Sequence, residues 1–305
     1  MIYIIGDVRS GSTLLDYLLS CHPQVVSVGE MHRLSDFYFK KSLLAKSWKY
    51  KCSCGKILSE CTFWKNIVEE SNLPEDFETA ITFHQPLKSA LNKRKQIKSM
   101  KGILESAVFF KEENIAKNCW NIYEQISKQT GKRIIIDSSK NAFQAIFLDK
   151  QKRTEIKFLL LERDIKSVAY SKMKRINDKR QFVGNKVNNI FYQLVGSFLT
   201  VKTNRNISEV IKQISGTANV KKINYMQLTT EPETTIKDIC NWLNIESYTI
   251  PEQTLTTNNI FHVIGGSPSR YEKKKIQPDF KSDKYFENHA LASAIGNFLK
   301  VALKN

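Results

Sequence analysis

The chain has no uninterrupted apolar stretch long enough to cross a bilayer, and Asp7, Arg9 and Asp16 break its first hydrophobic segment. A spanning helix needs about 20 mostly apolar residues. Neither a membrane span nor a secretory leader is therefore expected, and the chain reads as cytoplasmic. Cysteine is scarce too: six in 305 residues cannot build a disulfide scaffold, which fits a reducing compartment. Acidic side chains are outnumbered, 30 against 47 lysines and arginines, giving a net charge of +17. That excess favours an anionic partner without choosing among nucleic acid, acidic membrane, nucleotide and acidic substrate. There is no internal repeat and no low-complexity linker, so one domain over 1–305 is expected.

With 41% hydrophobic and 25% charged residues, the composition is that of an ordinary globular protein and excludes a wholly disordered chain. Short β-branched runs at 2–5, 25–28, 133–136, 157–161 and 220–223 suit buried parallel strands. Helical patterns at 14–19, 115–126, 165–174, 187–214 and 236–243 alternate with them, and a further packing helix is expected near the C-terminal end of the chain. This alternation predicts a P-loop-like three-layer α/β fold, with a central parallel sheet flanked by helices. The stretch 34–114, rich in Lys, Phe and Ser, breaks the rhythm and reads as an insertion or lid.

Polar groups cluster where the predicted strands end. Gly6-Asp-Val-Arg9-Ser10-Gly11-Ser12-Thr13 follows the first, Gly29-Glu30 the second, Asp137-Ser-Ser-Lys140 the third, Arg163 the fourth and Tyr225 the fifth. Open α/β sheets bind ligands at such carboxyl ends. The first loop has the glycines and hydroxyls of a phosphate loop, but Ser12 stands where the usual lysine would be. A glycine turn into a helix N-terminus still presents N–H groups and the positive end of the dipole to a phosphate or sulfate, with Arg9 adding charge. The missing lysine, with no Walker-B-like acid in view, argues against ATP or GTP hydrolysis. In "LERDIKSVAYSKMKR", Arg163, Ser171 and Arg175 make a second anion clamp, the last two at helical spacing.

"RSGSTLL", "HP…VGE", "DSSK" and "RD…SVAYSKMKR", in this order, resemble the sulfotransferases that use 3′-phosphoadenosine 5′-phosphosulfate (PAPS), in the branch containing bacterial, Golgi carbohydrate and tyrosylprotein enzymes. The resemblance is firm over 1–175 and weaker over 225–279, through "INYMQL" and "HVIGGSPSRY". It implies that Arg9, Ser10, Gly11, Ser12 and Thr13 hold the 5′-phosphosulfate. Arg163 and Ser171, with Arg175, match positions on the 3′-phosphate, and Tyr225, Gly266 and Arg270 match late contacts. Glu30 matches a general base, with His32 as rival, and Lys140 a group that stabilises charge between sulfuryl group and leaving phosphate; Arg9 also borders the transfer. The implied reaction moves a sulfuryl group in line from PAPS to a hydroxyl of a carbohydrate, lipid, phenol or peptide tyrosine, without a metal. A positive lid would favour an acidic acceptor.

Two other classes are weighed against this. A P-loop-related kinase would need ATP and Mg²⁺. A nucleic-acid binder would use the basic stretch 93–101, but the polar motifs collect at strand ends and not on a basic face with stacking aromatics. The segment "CSCGKILSECTFW" reads first as buried thiols, so no metal is assigned. Zinc, with His84 as the nearest later histidine, and a Cys54–Cys61 disulfide are its alternatives.

Overall fold

A computed structural model describes residues 1–38, 50–73, 107–181, 219–250 and 262–267, with scattered positions at 197–214 and 276–297. Five parallel strands, β1 (Ile2–Gly6), β2 (Val25–Gly29), β3 (Ile134–Asp137), β4 (Lys157–Glu162) and β5 (Val220–Asn224), form one sheet in the order β2-β3-β1-β4-β5. Each lies within a residue or so of its predicted place, because strands buried on both faces are written as continuous apolar runs. Register is set by pairs such as Ile2 with Ile136 and with Lys157, Val25 with Ile134, and Phe158 with Val220.

Alternation along each strand divides the core. Tyr3, Ile5, Val26, Val28, Phe158 and Leu160 face one layer, which includes Trp120 and Tyr123. Ile2, Ile4, Val25, Ile136, Leu159 and Leu161 face the other, which includes Leu15, Leu18, Leu228 and Ile236. Each fully buried side chain of this kind is worth roughly 1.5–3 kcal/mol. The helices are α1 (Ser12–Ser20), α2 (Leu34–Tyr38), α3 (Thr62–Glu70), α4 (Ala107–Thr130), α5 (Ala142–Lys150), α6 (Ile165–Gln181), α7 (Tyr225–Thr230) and α8 (Pro232–Leu243).

Helices α2, α3, α5 and α7 have no counterpart in the sequence reading. In α5 apolar residues are spread round the helix and not confined to a stripe, since Ala145, Ile146, Phe147 and Leu148 are all buried. From the irregular stretch 34–114, Phe37, Tyr50, Leu58, Trp64 and Ile67 join the same buried cluster as the sheet. Most of the predicted helix 187–214, the C-terminal packing helix, the basic stretch 93–101 and His84 lie outside the described residues.

All strands being parallel, their carboxyl ends share one rim. Between β1 and β4 the chain departs in opposite directions, to β2 on one side and β5 on the other. Such a switch point leaves a crevice between two loops. The far edge strand β2 is covered by a short segment: Ile264 N donates to Val28 O at 3.0 Å and Glu30 N to Ile264 O at 2.8 Å.

Candidate active site

The loop after β1 turns at two residues with positive φ, Arg9 (79°) and Gly11 (102°). Gly11 caps α1, and Leu14 and Leu15 N–H groups return to its carbonyl at 2.9 and 3.2 Å. The earlier amides of this first turn have no intrahelical acceptor and mark the anion-binding end of the helix. A side chain at Gly11 has no room, because a Cβ there would sit 2.3 Å from Cδ2 of Tyr225. The hydroxyl-bearing residues divide: Ser10 and Ser12 are buried, and Thr13 Oγ1 accepts from Ser267 N at 3.3 Å.

The switch-point crevice brings together four residues singled out from the sequence. Arg9 Nε donates to Ser171 Oγ at 2.9 Å, and an Arg163 guanidinium N–H donates to the Arg9 carbonyl at 3.1 Å. The Arg163 guanidinium also lies over the Tyr225 ring, 4.2 Å from its centre. Two arginines, a hydroxyl and an aromatic face from the ends of β1, β4 and β5 thus form one surface. Arg175 follows on α6 with its side chain outside the described part, and Arg270 lies outside the described residues.

A second group forms at the ends of β2 and β3. Lys140, at φ 60°, donates to Glu30 Oε1 at 2.7 Å and to the Ser138 carbonyl at 2.9 Å. Arg33 approaches the other Glu30 oxygen at 3.6 Å. Burial pushes the Glu30 carboxyl up, but the charges of Lys140, His32 and Arg33 outweigh it and hold it at about 2. Held there, the Glu30 carboxylate is a weak proton acceptor in this state. His32 is buried in the 3-10 turn Met31–Arg33, its backbone N–H donating to Ser139 Oγ at 3.1 Å.

The segment 262–267 joins the two groups. Gly265 packs so closely on Glu30 that a Cβ would meet Oε2 at 2.9 Å, and Gly266 lines, with Thr13, Asp16 and Tyr17, a small cleft.

Three buried acids near the rim were given no role from the sequence. Asp16 accepts from Ser138 Oγ at 2.7 Å, and burial pushes its carboxyl up to about 6 against hydrogen bonds from Ser27 and Ser138. Asp137, also raised by burial to about 6, accepts from the Tyr123 hydroxyl at 2.5 Å and from Ser139 N at 2.7 Å. Asp7 pairs with Lys172 at 2.6 Å. An acid inside a helix or at a strand end is a faint sequence signal, since its burial depends on distant neighbours.

Residues 2–249 match the model of the sulfotransferase family. The chain belongs to that family. Among solved structures, the sulfotransferase domain from the curacin biosynthetic pathway is similar with a TM-score of 0.53 at 18% identity, covering 98% of this chain and 97% of that one. The sulfotransferase domain from the Synechococcus PCC 7002 olefin synthase aligns at 20% identity over 81% of this chain and 73% of that one, with a TM-score of 0.47. No curated protein matches the sequence. The fold of this sulfotransferase family member is the expected P-loop-like α/β fold with a central parallel sheet. Among the described residues, no helix is long and apolar enough to cross a membrane.

Proposed function

We propose that the chain transfers the sulfuryl group of PAPS in line to an acceptor hydroxyl, as a single domain working in the cytoplasm. The observation that carries this reading is the joined cluster of Arg9, Arg163, Ser171 and Tyr225 beside the α1 N-terminus. In this reading the loop 9–13 binds the 5′-phosphosulfate through backbone N–H groups and Arg9, which replace the absent lysine. Arg163 and Ser171, with Arg175, hold the 3′-phosphate; Tyr225, Gly266 and Arg270 complete the donor contacts.

Glu30 held by Lys140 is a weak base, so the two must part for transfer. With donor bound, Lys140 moves its ammonium to the oxygen between sulfuryl group and 5′-phosphate, where negative charge develops. Glu30, still buried and now without its nearest cation, becomes basic enough to take the acceptor proton. The acceptor oxygen forms the new S–O bond as the S–O bond to the 5′-phosphate breaks, releasing 3′,5′-adenosine bisphosphate. The acceptor is a hydroxyl of a carbohydrate, lipid, phenol or peptide tyrosine, and the net charge of +17 favours an acidic one.

Calorimetric titration with 3′,5′-adenosine bisphosphate, 5′-AMP and ATP with Mg²⁺ tests the donor. Strong preference for the bisphosphate is expected. Equal binding of 5′-AMP, or tighter binding of ATP, would overturn the proposal and favour kinase chemistry.

A further inference from the structure

Apart from the strand-end site, three cysteines and a histidine from two distant segments converge. One ligand atom from each of Cys52, Cys54, Cys61 and His262 lies within 4.8 Å of all the others. We propose that these four side chains form a closed structural zinc site, which fastens the cysteine segment to the short segment beside Glu30.

Three of the six separations are close to a tetrahedron's edges, and all six are within 4.8 Å. Cys54 Sγ is 3.7 Å from Cys61 Sγ. His262 Nδ1 is 3.5 Å from Cys52 Sγ and 3.2 Å from Cys61 Sγ. Tetrahedral zinc, with Zn–S of about 2.3 Å and Zn–N of about 2.05 Å, places two sulfurs about 3.8 Å apart and sulfur and nitrogen about 3.5 Å apart. Thiol hydrogen bonds could account for any one of these contacts, but they do not require four ligand atoms from two distant segments to gather within 4.8 Å of one another. A disulfide would need the sulfurs at about 2.05 Å.

The surroundings are built to hold the ligands. Gly55, at φ 89°, closes a tight turn in which its N–H donates to the Cys52 carbonyl and Cys52 N–H donates to the Lys56 carbonyl, each at 2.9 Å. Lys51 and Ile57 bridge antiparallel at its base. Phe63 stacks flat on the His262 ring, with centres 4.6 Å apart and planes at 6°, and Trp64 Nε1 donates to the His262 carbonyl at 2.8 Å. Cys52 and Cys61 are buried. Supporting contacts of this kind orient metal ligands, and four protein ligands leave no open position, which is the structural and not the catalytic arrangement.

The same segment leads directly to the candidate active site. Next to His262, Val263 exchanges hydrogen bonds with Ser53 at 2.9 and 3.2 Å. Ile264 then pairs with β2, Gly265 packs on Glu30, and Ser267 N–H reaches Thr13. Metal at the cysteine cluster would therefore hold in place the strip that backs Glu30 and the first turn of α1.

The test uses the full chain, reduced and handled anaerobically, then reconstituted with Zn(II) or Co(II) alone. About one metal per chain is expected, with the sulfur-to-cobalt charge-transfer band and intense d–d absorption of tetrahedral coordination. Cys54→Ser, at the least buried of the three thiols, should weaken binding by at least the roughly 10- to 100-fold that loss of a mere supporting contact costs. Should that variant fail to fold, the wild-type cobalt spectrum decides alone. Substoichiometric metal after reconstitution, an octahedral spectrum, unchanged binding in a folded Cys54→Ser, or a Cys54–Cys61 disulfide in the anaerobic chain would each overturn the proposal.

Discussion

Lys140 Nζ lies 2.7 Å from Glu30 Oε1, joining the ends of β2 and β3 by a largely buried ion pair. Lys140 adopts a left-handed backbone, φ 60°, which is uncommon for a side-chain-bearing residue and concentrates at working sites. The pair keeps the carboxylate charged and its cation close; the proposed transfer requires the two to separate.

Its pH signature has a definite sign. Glu30 is held at about 2 against an ordinary value of 4.5, so its contribution to stability is complete above about 4.5 and is lost as pH falls toward 2. Lys140→Met leaves burial opposed only by weaker charges, raising the Glu30 carboxyl. Thermal melts between pH 5 and 2.5 should then show a shallower acid-side loss in Lys140→Met than in wild type; a parallel slope would remove the pair as the cause.

Glu30→Gln should reduce turnover by about 10²- to 10⁴-fold, the usual contribution of a general base. Affinity for 3′,5′-adenosine bisphosphate should change little. If turnover survives, the base role passes to another group, with buried His32 the first to test by the same substitution strategy.

Arg163→Ala removes both a charge-assisted contact and the cation over Tyr225. Such contacts are worth roughly 1.5–3 kcal/mol, so the preference for the bisphosphate over 5′-AMP should fall by about 10- to 150-fold. An undiminished ratio in calorimetry would mean that the 3′-phosphate lies elsewhere.

Gly11→Ala puts a Cβ 2.3 Å from the Tyr225 ring at a residue with φ 102°. Strain of this kind costs on the order of 1–3 kcal/mol before the clash is added. The double variant Gly11→Ala/Tyr225→Ala relieves the clash and should regain part of the lost melting temperature without regaining bisphosphate affinity. A single variant as stable as wild type would contradict the packing described.

Asp137 has the opposite sign from Glu30. Burial raises its carboxyl from 3.8 to about 6, with hydrogen bonds from Ser139 and Tyr123 offsetting part of the effect. Between those values the native state binds more protons than the unfolded chain, so stability falls as pH rises through the window. Asp137→Asn should flatten the decline seen in denaturant melts from pH 4.5 to 7, and an unchanged decline would point to other groups.

All five strands and the residues that end them were legible before the fold, because a buried strand is a run of neighbouring apolar residues and its carboxyl end is the next position along the chain. The sequence by itself therefore determined the sheet, the rim and the donors and charges placed on it, including Arg9, Glu30, Lys140, Arg163 and Tyr225. It carried no comparable signal for α5, whose burial on every side erases the helical stripe, nor for Asp16 or the raised carboxyl of Asp137, whose environments come from other elements. Only the tertiary structure decided that Lys140 pairs with Glu30, that Tyr225 fills the space against Gly11, and that His262 meets the three cysteines. The physical reason is range: strand patterns and turns are set by residues a few positions apart, whereas ion pairing, close packing and metal-ligand convergence depend on distances across a hundred or more residues, which exist only once the chain has folded.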